Sequence, residues 1–467
     1  MDDLALLIDF GSTYTKLVVV DLSARGVVAQ AQAPSTVETD INQGLQAALS
    51  ELEAKYRLRP DRFTYRAACS SAAGGLKVVA IGLVKSLTVE AARQAALGAG
   101  ARLIGAYGDR LNCEEVSEIV EARPDMILLA GGTDGGDREA IRHNAAMLAR
   151  ADIAAPIVVA GNKEATPAVA EELRRAGKEV RTTPNVLPRL QEINVEPARE
   201  VIRRLYMERI VEAKGLAQAQ LYIGRIIMPT PAAVLSAARL LADGTDSQAG
   251  WGAVMVVDIG GATTDVHSVA PDPPEQGRAI RRGIPEPYAK RTVEGDLGLR
   301  VSAIALLDSV GLPALKAAVG DDWTDESLRD ALHRRAGNPA FIAAEGREKK
   351  LDDAMARLCV ELATQRHVGR YREHYLPTGF CYIQEGKDLT LVRHLIGTGG
   401  IFKHSSRTAD ILSGGVFDQR RVLELKPMRP ELYADQDYIV WAMGLLAESQ
   451  PEIALEILHK SLSVMAG

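Results

Sequence analysis

The sequence is poor in cysteine and in long apolar runs. Its four cysteines are far apart and form no CxxC pair, which argues against a zinc site or a disulfide framework and is typical of a reducing compartment. The apolar run VVAIGLV at 78–84 is far shorter than the roughly 20 residues of a membrane helix. The N-terminus MDDLALLIDF has neither the basic start nor the cleavage site of a signal peptide. We therefore expect a soluble, cytoplasmic protein with no membrane partner.

The sequence also lacks a net positive charge and two common nucleotide-binding motifs. The formal charge is −6 at pH 7, so the chain has no net basic character to offer a phosphate backbone, and we expect no nucleic-acid partner. Neither GxxxxGK[ST] nor GxGxxG after a strand occurs, which argues against a P-loop enzyme and a dinucleotide-binding fold. The eight histidines show no HExxH spacing, so they do not indicate a zinc hydrolase.

The composition that remains is that of a large globular α/β protein. Hydrophobic residues make up 47% and charged residues 25% of the 467 positions, so a substantial core is available and two domains are expected. Aromatic residues are only 4%, whereas alanine, leucine, valine and glycine are abundant. This balance suits helices packed on sheets through small side chains better than an all-β sandwich.

Two matched hairpins are the most informative pattern. Short apolar runs flank DFGSTYTK at 9–16 and DIGGATTD at 258–265, so each segment predicts two strands around a Gly-containing turn. Without gaps, Asp9 aligns with Asp258, and Gly11 and Thr15 align with Gly260 and Thr264, 249 residues apart. That separation is too long for a solenoid repeat and indicates duplicated domains.

Alternating patterns of helix and strand occupy the region between the hairpins. Helical patterns at 88–104 and 164–180 alternate with apolar strands at 125–130 and 155–161, which predicts crossover units and parallel pairing. The Gly-rich, polar segment 240–252 is the predicted domain boundary.

The second half carries two further helical patterns. The charged stretch 323–376 predicts a helical inserted subdomain, and 436–465 predicts closing helices.

The first turn carries the residue types that hold a phosphate. Gly11 and the small hydroxyl residues Ser12 and Thr13 let backbone N–H groups approach phosphate oxygens closely. Asp9 supplies a hard carboxylate oxygen of the kind that anchors Mg²⁺ directly or through its waters. Lys16 either neutralises phosphate charge or is a solvated strand residue. Taken alone, this turn is equally explained by an ordinary hairpin with an Asp-Gly bend.

The second turn repeats the arrangement. Asp258 is followed by Gly260, Gly261, Thr263 and Thr264 in the matched frame. Two such hairpins that face each other clamp the β- and γ-phosphates of ATP, with Mg²⁺ between the two aspartates, and we predict a catalytic role for the second aspartate.

A third Gly-rich turn follows later in the chain. IGTGGIF at 396–402 places Gly397, Gly399 and Gly400 after an apolar strand. Such a turn either reverses the chain or faces an adenosine, and its position after the second hairpin suits the adenosine.

The two phosphate turns and the later Gly-rich turn together resemble the actin, Hsp70 and sugar-kinase superfamily. Within that superfamily the chain is similar to the accessory proteins of glutamate mutase (methylaspartate mutase) known as GlmL or MutL, which are unrelated to the mismatch-repair protein MutL. The similarity rests on five blocks: LLIDFGSTYTK, CSSAAGGLK at 69–77, ILLAGGTDGG at 127–136, MPTPAAVL at 228–235 and VVDIGGATTDVHSV.

The resemblance implies duplicated actin-like (ribonuclease H-like) ATPase domains with inserted subdomains around an interdomain nucleotide cleft. We expect a first domain at 1–245 and a second at 246–467, with a helical insertion around 305–380. The resemblance further implies a reactivating chaperone for an adenosylcobalamin-dependent mutase that binds ATP or ADP with Mg²⁺, hydrolyses ATP slowly and has mutase subunits as partners. The chain could also form a homodimer.

Other segments leave alternatives open. Asp134, in GGTDGG, either orients the attacking water or caps the helix that starts near Arg138. The segment CSSAAGG is either a third phosphate loop or a place where Cys69 packs as a buried thiol.

Two rival functions use the same fold. A small-molecule kinase would transfer the γ-phosphate to a bound hydroxyl or carboxylate. It would need a catalytic base, and Asp134 is the only carboxylate with a plausible position for that role. A filament-forming actin relative would need a hydrophobic insertion loop, which we do not find in the sequence.

Overall fold

The structure is a computed structural model, and it describes residues 3–36, 40–71, 76–213, 225–272, 279–320, 322–343, 346–377 and 379–465. Over these ranges the chain is a mixed α/β protein with four sheets. No helix in these ranges is both long enough and apolar enough to span a bilayer.

The first sheet contains the first predicted hairpin. Its strands lie in the order β10-β4-β1-β2-β3, with β1, β2 and β3 antiparallel and with β4 and β10 parallel to β1. The bounds are β1 Leu4–Phe10, β2 Tyr14–Asp21, β3 Gly26–Pro34, β4 Phe63–Ser70 and β10 Arg225–Pro229.

The sheet that holds the second hairpin repeats this plan. Its strands lie in the order β14-β12-β11-β17-β18-β19, again with three antiparallel strands followed by two parallel ones, and β19 is added antiparallel to β18. The bounds are β11 Val254–Ile259, β12 Thr264–Val269, β14 Ala289–Glu294, β17 His394–Thr398, β18 Glu431–Ala434 and β19 Ser463–Val464. The duplicated α/β architecture that the sequence predicts is therefore confirmed.

Two smaller sheets are inserted into this frame. One is wholly parallel, in the order β6-β5-β7-β8-β9, with bounds β5 Lys77–Gly82, β6 Arg102–Gly108, β7 Met126–Leu129, β8 Ile157–Val159 and β9 Val180–Thr182. The other has the order β13-β16-β15, with bounds β13 Ala279–Arg282, β15 Arg370–Leu376 and β16 Gly379–Glu385.

The helices connect and cover these sheets. In the first half they are α1 Ile41–Tyr56, α2 Glu90–Gly98, α3 Cys113–Ala122, α4 Glu139–Arg150, α5 Thr166–Arg175, α6 Glu196–Ala213 and α7 Thr230–Asp243. In the second half they are α8 Ala303–Val310, α9 Leu312–Val319, α10 Asp325–Gly337, α11 Arg347–His367, α12 Gly400–His404, α13 Thr408–Ser413, α14 Val440–Leu446 and α15 Pro451–Ser461.

One hydrophobic core joins the two halves. It includes side chains of β1 and β2 from the first sheet, of β11 from the second, and of α7 and α14 between them. The two helices approach closely at Gly444, where a Cβ atom would lie 1.8 Å from the Ala233 carbonyl oxygen. Only glycine fits there, since any side chain would push the helices apart.

Two predicted helices are partly wrong. The pattern 88–104 ends as a helix at Gly98, and Arg102–Gly108 is a strand, because parallel pairing with β5 outweighs the local alanine-rich signal. The stretch 323–376 contains α10 and α11 but ends in β15, whose tyrosines favour a strand once β16 is available to pair with it. The predicted domain limits at 245/246 and around 305–380 stay predictions.

Candidate functional site

The two hairpin turns are closed in the same way. In the first, the Gly11 N–H donates to the Tyr14 carbonyl at 3.1 Å, and in the second the Gly260 N–H donates to the Thr263 carbonyl at 2.9 Å. These residues occupy matched positions, so the ungapped alignment of the two segments holds in three dimensions. Small residues are required because a Cβ on Gly11 would lie 2.6 Å from the Tyr14 oxygen.

The turns face each other across a cleft of about 570 Å³. A Cβ placed on Gly261 would lie 4.0 Å from the Thr13 hydroxyl, which shows how closely the second turn approaches the first. The predicted residues that line this cleft are Asp9, Gly11, Ser12, Thr13, Lys16, Asp258, Gly260, Gly261, Thr263 and Gly400. The fold thus brings together both phosphate turns and the end of the Gly-rich turn.

Backbone amides at the turn tips are available to a ligand. Within the described ranges, the N–H groups of Ser12, Thr13, Gly261 and Ala262 donate to no backbone carbonyl. Unpaired backbone amides in Gly-containing turns that line a cleft are the groups that bind phosphate oxygens in nucleotide sites.

Asp9 is a buried and fully engaged carboxylate. It is the last residue but one of β1, with 1% of its side chain exposed. Its Oδ2 accepts a hydrogen bond from Lys16 Nζ at 2.9 Å, and its Oδ1 accepts one from Thr230 Oγ1 at 2.6 Å. The thiol of Cys69, buried on the neighbouring strand, lies 3.6 Å from Oδ1. Asp9 is therefore held in one orientation by three elements.

Lys16 is the cation that balances Asp9. Its Nζ also donates to the Tyr438 hydroxyl at 3.1 Å and lies 4.3 Å from the centre of that ring. Burial by itself would lower the pKa of Lys16, but the charge of Asp9 and the hydrogen bonds to both partners outweigh it and raise that pKa. Lys16 is thus charged, largely buried and lines the cleft, and its contact with phosphate stays a prediction.

Asp258 occupies the matched position in the second hairpin but is not engaged. Within the described ranges its carboxylate accepts no hydrogen bond, although it lines the cleft. Burial, followed by the charge of Asp265 on the paired strand, raises its pKa to about 7. A carboxyl group that titrates near neutral pH can accept a proton from water.

Asp265 is neutralised from outside the hairpin. The guanidinium of Arg291, on the adjacent strand β14, contacts its Oδ1 at 2.6 and 2.7 Å. The same guanidinium donates to the Leu97 and Ala101 carbonyls at the end of α2, at 3.0 and 2.9 Å. Strand β12, which leaves the second turn, is therefore tied to α2 and to the residue that precedes β6.

Three predicted contact residues lie behind the cleft surface. The Thr264 hydroxyl donates to the Leu297 carbonyl at 2.8 Å. Gly397 makes room for the ring of Phe402, which a Cβ would approach to 2.3 Å, and Gly399 has φ 113° and passes close to the Ile259 carbonyl. These residues shape the turns and do not line the cleft.

Asp134 lies away from the cleft, in the loop after β7. Its Oδ1 accepts hydrogen bonds from the Lys163 amide at 2.9 Å and the Asn185 side chain at 3.0 Å. The start of α4 is capped by Asp137 instead, whose Oδ1 accepts from the Ala140 amide. Water activation by Asp134 stays a prediction to which this geometry adds no support.

Several cleft residues were missed by the sequence analysis. Thr230, Arg291, Arg300 and Tyr438 all line the cleft. Thr230 lies inside the MPTPAAVL block, so the resemblance of that block to the family could have marked it as a site residue. The other three come from strands and loops far along the chain, and no local pattern marks them. Of the proposed third phosphate loop, residues 72–75 lie outside the described ranges, whereas Cys69 is buried.

The cleft residues do not by themselves form a complete binding site for a hard cation such as Mg²⁺. A bound ligand would have to supply the remaining oxygen atoms. In the described part of the chain no three His, Cys, Asp or Glu side chains come together as a metal site. The unengaged carboxylate of Asp258 beside the turn amides nevertheless suits a cation that is bound mainly by phosphate oxygens and water.

Comparisons with known proteins agree on one family. A family model described as MutL protein matches residues 5–462. Protein MutL of Clostridium tetanomorphum is 49% identical over 460 residues, which cover 98% of this chain and 99% of that protein.

Similarity to solved structures is distant. Gluconate kinase from Lactobacillus acidophilus is 11% identical, with 100% of this chain and 93% of that chain covered and a TM-score of 0.37. Glycerol dehydratase reactivase is 10% identical, with 96% and 100% covered and a TM-score of 0.35. Likeness at this level carries no information on function.

Proposed function

The chain belongs to the MutL protein family, and on that premise we propose that it is an ATP-dependent reactivating accessory protein for an adenosylcobalamin-dependent mutase of the glutamate mutase type. The observation that carries the ATP part is the pair of matched turns that face each other across one cleft. The mutase part rests on the family resemblance of the five sequence blocks.

ATP binds with its phosphates between the turns. The free amides of Ser12 and Thr13 on one side and of Gly261 and Ala262 on the other donate to phosphate oxygens, and Lys16 adds positive charge. The Gly-rich turn that ends at Gly400 lies on the nucleoside side.

Asp258 acts on the attacking water. Because its pKa is about 7, it can accept the proton of water at neutral pH and hold the oxygen in line with the γ-phosphate. Asp9 cannot do this while Lys16 and Thr230 occupy its oxygens. Mg²⁺ would be held near Asp9 and Asp258, mainly by phosphate oxygens and water, and would supply positive charge to the phosphates.

Hydrolysis then changes the relation of the two halves. The turns belong to different sheets, so a ligand that contacts both stabilises the closed arrangement, and loss of the γ-phosphate removes part of that stabilisation. We propose that the closed and open states bind an inactivated mutase differently, so that a damaged cobalamin leaves and an intact one enters.

The test measures phosphate release from MgATP together with the recovery of a mutase holoenzyme that has been inactivated by turnover. Wild type is compared with Asp9→Ala and Asp258→Ala, and Asp246→Ala, in an exposed loop, is the matched control. We expect slow hydrolysis and mutase recovery in wild type and control, and loss of both in the two cleft variants.

Three results would contradict parts of the proposal. Hydrolysis without mutase recovery would remove the reactivating role but leave the ATPase. A phosphorylated small molecule in place of free phosphate would identify a kinase. Full activity in both cleft variants would mean that the turns do not bind the nucleotide.

A further inference from the structure

A fixed turn follows strand β18 at the edge of the cleft. Both oxygens of the buried Asp435 accept backbone N–H groups, from Ile439 and Val440, at 2.9 Å each. The hydroxyl of Thr398, which is part of the Gly-rich turn, donates to the same carboxylate at 2.8 Å. The indole of Trp441 donates to the Tyr438 carbonyl at 2.9 Å, so the turn is held from both ends.

Tyr438 has an unusual backbone conformation in this turn. Its φ is 54°, in the left-handed region that bulky residues rarely adopt. Such a conformation persists only where the surroundings over-determine it, and it is common at functional sites. Here the hydrogen bonds to Asp435 and from Trp441 supply that constraint.

The conformation places the Tyr438 side chain against Lys16, a residue of the other half. The tyrosine hydroxyl accepts a hydrogen bond from Lys16 Nζ, and the ring lies within cation–π distance of the same atom. An ammonium group has three N–H donors, of which Asp9 and Tyr438 take two. The third remains available to a ligand in the cleft.

We propose that Tyr438 is a positioning residue for Lys16, an inference that rests on the proposed function as an ATPase. Without Tyr438, the ammonium of Lys16 would turn fully onto Asp9 and be lost to the phosphates. Because Tyr438 comes from the second half and Lys16 from the first, the lysine is in place only when the two halves are together. The Thr398–Asp435 contact links this arrangement to the Gly-rich turn.

The proposal is tested with Tyr438→Phe, which keeps the ring and removes the hydroxyl. Steady-state hydrolysis of MgATP is measured for wild type, for this variant, for Lys16→Gln and for the double variant. Tyr433→Phe is the matched control, since its hydroxyl bonds to Glu431 and it does not line the cleft. Thermal unfolding of each protein checks that it is folded.

We expect Tyr438→Phe to raise KM for MgATP about 10-fold, the usual consequence of losing a hydrogen bond to a charged group, while kcat changes less than about twofold. In the Lys16→Gln background the same substitution should change KM less than about twofold, because its effect acts through the lysine. A purely structural role would instead give the same loss in both backgrounds.

Two outcomes overturn the inference alone: an unchanged KM in Tyr438→Phe, or a rise in KM of equal size in the two backgrounds, while wild type hydrolyses ATP. If wild type neither binds nor hydrolyses MgATP, the proposed function fails and this inference fails with it.

Discussion

The two hairpins have the same strand pairing, but the residues paired with their aspartates have opposite charges, Lys16 in the first and Asp265 in the second. In the first, Asp9 is paired across the strands with Lys16, whereas in the second Asp258 is paired with Asp265. Asp9 is consequently neutralised and hydrogen-bonded, while Asp258 has a second carboxylate beside it and a pKa raised to about 7. The charge of Asp265 is balanced by Arg291, which lies outside the hairpin.

This difference in charge gives the two hairpins different roles, one in binding the ligand and one in its hydrolysis. A largely buried ion pair whose position is fixed by further hydrogen bonds suits holding a ligand. A carboxylate that is kept free of partners among like charges is costly but reactive. We therefore expect the first hairpin to govern binding and the second to govern hydrolysis, and each of the following changes tests that division.

The largest effect is expected for Asp258→Asn. The amide cannot accept a proton, so the rate of phosphate release should fall roughly 10³-fold, as for removal of a general base, with ATP affinity changed less than roughly tenfold. Phosphate release and equilibrium binding of ATP measure the two quantities. A variant that loses affinity but keeps its rate would reverse the roles of the hairpins.

A smaller effect, on stability, is expected for Asp9→Asn. The substitution leaves Lys16 largely buried without its counter-charge, and breaking one partner of such a pair costs about 3 kcal/mol. Denaturant unfolding at pH 7 measures this cost, and Asp258→Asn, which breaks no pair, is the matched comparison. Equal destabilisation by both variants would show that the two carboxylates have similar surroundings.

The smallest effect is a pH dependence of stability that arises from Asp258. Its pKa is about 7 in the folded protein and near 4 in the unfolded chain, so the folded state binds the proton more tightly. The contribution of the protonated carboxyl to stability is full below about pH 4 and is lost as the pH rises through about 7. Asp258→Asn should therefore exceed wild type in stability by about 2 kcal/mol at pH 8 and by much less at pH 5.

Unfolding at the two pH values measures this difference. A gain of the same size at both would mean that Asp258 titrates normally, and the proposed proton acceptor would have to be sought elsewhere.

The local sequence pattern was sufficient to predict both hairpins and several buried strands. The apolar runs on either side of DFGSTYTK appear as β1 and β2, and 125–130 contains β7, since short continuous apolar runs carry the signal there. Strand β6 was missed although Gly98 and Gly100 separate it from the alanine-rich helix, because its pairing with β5 decides the strand and is not visible in the local pattern. Strand β15 was missed for the same reason, since its charged residues continue the helical pattern of α11.

By itself the sequence determined which residues could bind phosphate, because glycine, small hydroxyl residues and aspartate after a strand define that chemistry locally. It also determined the family, since long blocks of similar residues can be recognised without a structure. Only the tertiary structure decided which aspartate is neutralised and which is free. Burial and charge depend on neighbours such as Thr230, Arg291 and Tyr438, which the fold brings to the turns from distant parts of the chain.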